Sequence, residues 1–255
     1  MLHHPRRVVS LQGASNFRDL AGYPARDGRP LRWGRVFRSD HLGGLTPQDL
    51  QTLAALGLAR TMDFRGQAER ESAPYRLDGL AQHSLPIEPT VVQGMQALAS
   101  QPGGLTPQAV AGLMRELYRG FVHDQSHRFA EFFALLLQED TPLVFHCTAG
   151  KDRTGFAAAL LLLALGADRE LVLQDYLLSN DLYRPPPLPR RSPEREAVAV
   201  LWRVQHDFLE AALQAIDGDH GGVDGYLSRR IGLDTAAREL LASRLLVCQA
   251  PAPRI

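Results

Sequence analysis

Apolar and polar positions along this chain fall into short apolar runs and longer stripes that recur every three or four residues. The clearest run opens the stretch "PLVFHCTAGKDRTGFAAALLLLALG", Pro142 to Gly166. It predicts a buried strand at Leu143–His146, a tight loop, and an apolar helix from near Arg153. "LARTMDFR" predicts a strand ending at Asp63 and Arg65, and "AQHSLPIEP" another. "VVSLQGASNFRDLAGYP" suggests a strand and a turn; Val36–Arg38 is the returning strand of a hairpin turned at Asp27-Gly28. "LTPQDLQTLAALG" is a helix with Thr46 as cap, Pro47 at its first position and Gly57 at its end.

A helix running into a short apolar strand is the rhythm of a parallel sheet. The fold class expected is α/β: one domain over residues 1–255, with a mainly parallel central sheet flanked by helices. Residues 90–120 read as two amphipathic helical pieces split by Pro102-Gly103-Gly104, an insertion placed to act as a helical lid or as a plain layer. A phenylalanine-rich helix follows at 126–138. Asp168 is placed to cap the helix "RELVLQDYLLSNDLY". Residues 184–193 form a proline- and arginine-rich connector, either a solvated loop or a contact for acidic groups. Beyond it the pattern predicts a long helix from Ser192 to about Ile216, a loop at "GDHGG", a short helix ended by Gly232, and a last helix capped by Asp234.

Composition narrows the function classes. Basic and acidic residues balance at 28 each, which argues against nucleic acid or an anionic membrane as the default partner. The apolar stretch after Arg153 is about half the ~20 residues that span a bilayer. The start "MLHHPRRVVS" has no apolar segment of a signal peptide. The two cysteines, Cys147 and Cys248, fit a reducing compartment and a cytoplasmic location. Export without a signal peptide, and a pairing of the two thiols, stay open. His123 and His127 allow one helical face, but no local third ligand completes a metal site. No metal and no cofactor are expected.

The chemistry gathers at the seam between strand and helix. Cys147 is followed by five residues and then Arg153. Successive backbone N–H groups, with small Ala149 and Gly150 and the flanking Thr148, would form an anion nest. The helix start adds its free N–H groups and dipole. Arg153 offers a planar fork for two phosphoryl oxygens; Lys151 adds a point charge. Cys147 is the candidate nucleophile, because a helix N-terminus and neighbouring cations favour the thiolate. His146 is placed to orient the loop, and Thr154 to donate its hydroxyl to the thiolate. Asp152 is the candidate general acid, since a facing phosphate dianion favours its protonated form. A nucleotide-binding loop is excluded: Gly150-Lys151 is followed by Asp152, not Ser or Thr.

"HCTAGKDRTG" resembles the signature loop of the protein tyrosine phosphatase superfamily, and its Lys-Asp-Arg version resembles a bacterial group of those enzymes. "NFRDLAGY" at 16–23, "GRVFRSDHL" at 34–42 and "TMDFRGQAERE" at 61–71 agree with that group. The resemblance implies a cysteine-dependent phosphatase acting on phosphotyrosine in phosphoproteins or phosphopeptides. Phosphoserine, phosphothreonine and phosphoinositides lie within the group's range. It also implies that Asp63 braces Arg153; read from the residues alone, Asp63 is a strand-end carboxylate with a helix or Arg65 as partner. The mobile Trp-Pro-Asp loop of larger relatives is absent, and Glu88, Glu116 and Asp124 lack its context, which favours Asp152 as the acid. Lipid-directed loops often pair two lysines, whereas Lys151 stands alone here. The rival readings are a phosphoinositide phosphatase and a non-catalytic phosphate-binding or sulfur-transfer module.

Overall fold

The computed structural model describes residues 4–100, 104–187 and 195–248. Among them lie β1 (Arg18–Asp19), β2 (Val36–Ser39), β3 (Arg60–Asp63), β4 (Ala81–Ser84) and β5 (Leu143–His146). The helices are α1 (Pro47–Ala55), α2 (Gln67–Ser72), α3 (Thr90–Ala99), α4 (Pro107–His123), α5 (Ser126–Gln138) and α6 (Arg153–Ala164). Then come α7 (Arg169–Leu177), α8 (Ser179–Leu182), α9 (Arg195–Trp202), α10 (His206–His220), α11 (Gly222–Tyr226), a π-helical turn at Leu227–Ile231 and α12 (Thr235–Leu245).

The strands form one sheet in the order β1-β2-β5-β3-β4, parallel except for the antiparallel β1–β2 pair. Side chains of a strand alternate between its faces. Leu143 and Phe145 of β5 accordingly enter one core cluster with α4, α5 and α6, while Val144 enters the other with Phe37 and Leu53. Arg153 through Leu162 of α6 are all buried, so this helix runs through the larger core. Register aligns Ser39, His146, Asp63 and Ser84 at the carboxyl ends of the parallel strands. Open α/β sheets place their ligand sites at that edge. Among the described residues no helix is long and apolar enough to cross a membrane.

Helix α1 carries its expected cap. The Thr46 hydroxyl accepts from the Asp49 N–H at 3.3 Å, and Asp49 accepts from the Thr46 N–H at 2.9 Å. Asp168 stands at the start of α7, but its side chain makes no capping bond.

The long helix expected from Ser192 to Ile216 is two helices. Its first residues, 192–194, lie outside the described ones. The break falls at Val204, whose N–H and C=O both bond the Asn180 side chain at 2.9 Å. That amide replaces the helical bonds of Val204 with a tertiary pair, which a local pattern cannot reveal. The expected loop at "GDHGG" is instead the end of α10, which runs to His220 and stops at left-handed Gly221 (φ 69°).

Candidate active site

The loop from Cys147 to Asp152 joins β5 to α6, and the carbonyls of Cys147, Thr148, Ala149 and Gly150 each have a donor. The Cys147 carbonyl takes His146 Nδ1 at 3.2 Å, and the Thr148 carbonyl takes the His41 N–H at 3.1 Å. The Gly150 carbonyl takes Asn16 Nδ2 and Arg38 Nη2, each at 2.9 Å, while Asn16 Nδ2 also reaches the Ala149 carbonyl at 3.3 Å. The described peptides are all trans. In a planar trans peptide the N–H points opposite to the C=O. The N–H groups of Thr148, Ala149, Gly150 and Lys151 therefore turn to the other face of the loop. That is the arrangement of an anion nest.

Burial pushes the His146 imidazole down to about 4, so it is neutral near pH 7. With Nδ1–H given to the loop, Nε2 accepts from the Tyr75 hydroxyl at 2.6 Å. The imidazole is thereby tied to the loop at the Cys147 carbonyl and to Tyr75 behind it.

Gly150 adopts φ 65°, and a Cβ there would lie 2.3 Å from the Ser39 carbonyl oxygen. Neither the conformation nor the space admits a side chain. Gly150→Ala should destabilise the fold by roughly 1–3 kcal/mol and depress activity in the folded fraction. Urea unfolding alongside turnover measures both.

Arg153 is gripped from behind by a residue that sequence reasoning missed. Glu69 on α2 takes Nη1 at 2.6 Å and Nη2 at 2.8 Å, a bidentate pair, and also accepts from the Thr148 hydroxyl. Nη1 further donates to the Ile87 carbonyl at 2.9 Å and the Phe64 carbonyl at 3.3 Å. The brace expected of Asp63 is therefore a correction: its carboxylate bonds the Arg65 N–H, Nε and Nη2 at 2.8–3.1 Å. A carboxylate two residues before an arginine closes this local fork before reaching across the loop. The local sequence of Glu69, "GQAERE", is polar and carries no mark of a partner 84 residues on.

Burial alone would raise the Glu69 carboxyl, but the hydrogen bonds and charge of Arg153 outweigh it and bring it down to about 2. A carboxylate lowered in the folded state stabilises it above its unfolded value, here 4.5, and loses that contribution as pH falls through about 2. Glu69→Gln should lower kcat/KM by about 10²-fold through a misplaced fork. Its melting temperature should trail the wild type at neutral pH and converge with it in acid. Parallel melting curves at every pH would contradict the pair's role.

The remaining expected residues gather at the same edge. Lys151 Nζ meets Asp152 Oδ2 at 2.6 Å, and the Tyr118 hydroxyl donates to Asp152 Oδ1 at 3.1 Å. Tyr118 in turn lies 2.7 Å from the Tyr176 hydroxyl. Because the one proton of Tyr118 goes to Asp152, Tyr176 donates to Tyr118. Two buried tyrosines, Tyr118 directly and Tyr176 through it, thus hold one oxygen of the candidate acid. Cys147 is 2% exposed, and the buried Thr154 hydroxyl has no protein partner.

Other readings land elsewhere. Cys248 is exposed and free, and Cys147 is free. His123 Nε2 faces Asp219 at 3.5 Å, and no group of three metal-ligating side chains occurs among the described residues. Of the connector's arginines, Arg184 holds the Leu11 and Ala14 carbonyls at 3.0 and 2.8 Å, and Arg190 and Arg191 fall outside the described residues; Arg195, just beyond it, opens α9. Within 90–120, α4 is packed into the core through Val110, Met114 and Tyr118, whereas α3 has no buried residue.

Residues 9–247 match the model described as "Tyrosine phosphatase family". A Cupriavidus necator protein named as a tyrosine-protein phosphatase is 36% identical over 91% of this chain and 86% of its own. The triple specificity protein phosphatase PtpB of Mycobacterium tuberculosis is 32% identical over 94% of this chain and 99% of its own. The crystal structure of P. aeruginosa TpbA aligns with 82% of this chain and 98% of its own, at 16% identity and a TM-score of 0.36.

Proposed function

The chain belongs to the tyrosine phosphatase family, and from that membership we propose that it hydrolyses phosphotyrosine in proteins through a phosphoryl group carried on Cys147. Phosphatase activity itself follows from the family. What supports this reading is one arrangement: donors on the Cys147 to Gly150 carbonyls that turn the Thr148 to Lys151 amides the other way, with the Arg153 fork held by Glu69.

In the first step the Cys147 thiolate attacks phosphorus and the bond to the leaving oxygen breaks. The loop amides and Arg153 take up the charge that spreads over the three equatorial oxygens. Asp152 gives its proton to the leaving oxygen. Lys151 turns from Asp152 to the incoming dianion, which frees the acid to carry that proton. In the second step water attacks phosphorus, Asp152 takes its proton, and the thiolate leaves as inorganic phosphate departs. Thr154 donates its unpartnered hydroxyl to the thiolate in both. No metal or cofactor enters these steps.

In this reading any covering role within residues 90–120 falls to α3, whose residues are not buried, rather than to α4, which is packed into the core. The triple specificity in the name of the M. tuberculosis relative supports a range wider than phosphotyrosine. The lone loop lysine ranks phosphoinositides below phosphoproteins. A reducing compartment such as the cytoplasm suits a free catalytic thiol. A panel of phosphotyrosine, phosphoserine and phosphothreonine peptides and phosphoinositide vesicles, with and without vanadate, tests the ranking. Vanadate-sensitive turnover highest on phosphotyrosine is expected; a phosphoinositide turned over fastest would replace this reading.

A further inference from the structure

Behind the loop lies a polar cluster sealed from solvent. Asn16, Arg18, Arg38 and Asp175 are each 0–2% exposed. Arg18 Nε meets Asp175 Oδ1 at 3.1 Å, and Arg38 Nη1 meets Asp175 Oδ2 at 2.7 Å. Tyr23 also donates to Asp175 at 3.1 Å, and the Ser179 hydroxyl accepts from Arg18 at 3.3 Å. Burial alone would raise the Asp175 carboxyl, but the two arginines hold it at about 2. One carboxylate thus fixes two guanidiniums, one from β1 and one from β2.

Each arginine has a second task. Arg38 Nη2 donates to the Gly150 carbonyl. Arg18 Nη1 donates to the Asn16 side-chain oxygen, which leaves the Asn16 amide nitrogen facing the Gly150 and Ala149 carbonyls. Asn16 sits at φ 57°, the one left-handed residue other than glycine among those described. Asparagine tolerates that region, and strained backbone of this kind concentrates at functional sites.

Resting on the proposed function above, we propose that Asn16 and Asp175 are positioning residues for phosphate chemistry. Asp175, through Arg18 and Arg38, sets two donors against the Ala149 and Gly150 carbonyls and so keeps the Gly150 and Lys151 amides turned toward phosphate. Neither residue touches the substrate. If the donors are lost, the peptide between Gly150 and Lys151 is free to rotate, and its carbonyl then meets the phosphoryl oxygens in place of an N–H. The motif "NFRD", the arginine of "VFRS" and the aspartate of "QDYLLSN" become parts of one device.

The alternative is that the cluster only fastens β1 and β2 to α7. Two substitutions at one position separate these roles. Asn16→Asp keeps the shape and the bond to Arg18 but puts an acceptor against the loop carbonyls. Asn16→Ala loses both contacts. A fastening role makes Asp the milder change. A positioning role makes it the more damaging for chemistry, by about 10²-fold in kcat/KM, as for loss of an oxyanion donor. Vanadate inhibition should weaken in step. The Asp variant should nevertheless melt no lower than the Ala variant.

Asp175→Asn should weaken vanadate inhibition in the same sense; should it fail to fold, the order of the two Asn16 variants decides. Equal or better activity for Asn16→Asp than for Asn16→Ala, or unchanged vanadate inhibition in both, overturns the inference. A wild type that neither hydrolyses a phosphotyrosine peptide nor responds to vanadate would instead overturn the proposed function.

Discussion

Cys147→Ser is expected to cut kcat by roughly 10⁴–10⁶-fold, the scale seen when a covalent nucleophile is removed, while the protein still binds a phosphotyrosine peptide. The substitution changes one atom at a residue 2% exposed, at the mouth of a loop held by other groups. The His41, Asn16 and Arg38 donors that orient the carbonyls are untouched, as is the Glu69 grip on Arg153. Binding therefore survives. Turnover does not, because a serine hydroxyl is a far weaker nucleophile toward phosphorus than a cysteine sulfur and a poorer leaving group when water clears the intermediate. Isothermal titration with the peptide and steady-state assay of the same sample separate the two quantities. Equal loss of binding and turnover would mean that the sulfur shapes the loop rather than attacks.

The second large effect is expected at Asp152. Asp152→Asn should slow hydrolysis of an alkyl phosphate by about 10²–10⁴-fold, the usual range for a general acid, and slow an activated aryl phosphate far less. The difference arises because a good leaving group departs without a proton. The surroundings of Asp152 suit the role. Tyr118 fixes one oxygen at 3.1 Å, and Lys151 holds the other at 2.6 Å. Asparagine keeps the size and one of the two acceptors, and the melting temperature of the same sample shows that the loss lies in chemistry rather than in folding. A plot of log kcat against leaving-group pKa should be nearly flat for the wild type and steep for the variant. Equal slopes would remove Asp152 from the acid role and turn attention to groups outside the loop.

The sequence carried the parts of this site that are local. The strand, loop and helix start around Cys147 and Arg153 occupy consecutive residues, and the apolar run before them and the small residues within them reveal the turn. The α1 cap was legible for the same reason, since Thr46 and Asp49 lie within one turn. What stayed hidden depends on reach across the fold. Glu69 lies 84 residues before Arg153, and nothing in "AERE" distinguishes it from a solvated helix. Asp63 ends its strand as the pattern predicts, and register places it beside His146, yet its carboxylate turns to Arg65 rather than Arg153. Tyr118 and Tyr176 sit on apolar helix faces, so their hydroxyls left no trace in the pattern. The split between α9 and α10 depends on Asn180, a side chain 24 residues away.

The most direct measurement is acid quenching of the wild type during turnover of a phosphotyrosine peptide, followed by mass spectrometry of the fragment that contains Cys147. A phosphoryl group on that sulfur, building and decaying with turnover, is the predicted result. Steady hydrolysis with the sulfur unmodified throughout, or with the phosphoryl group on another side chain, would contradict the account.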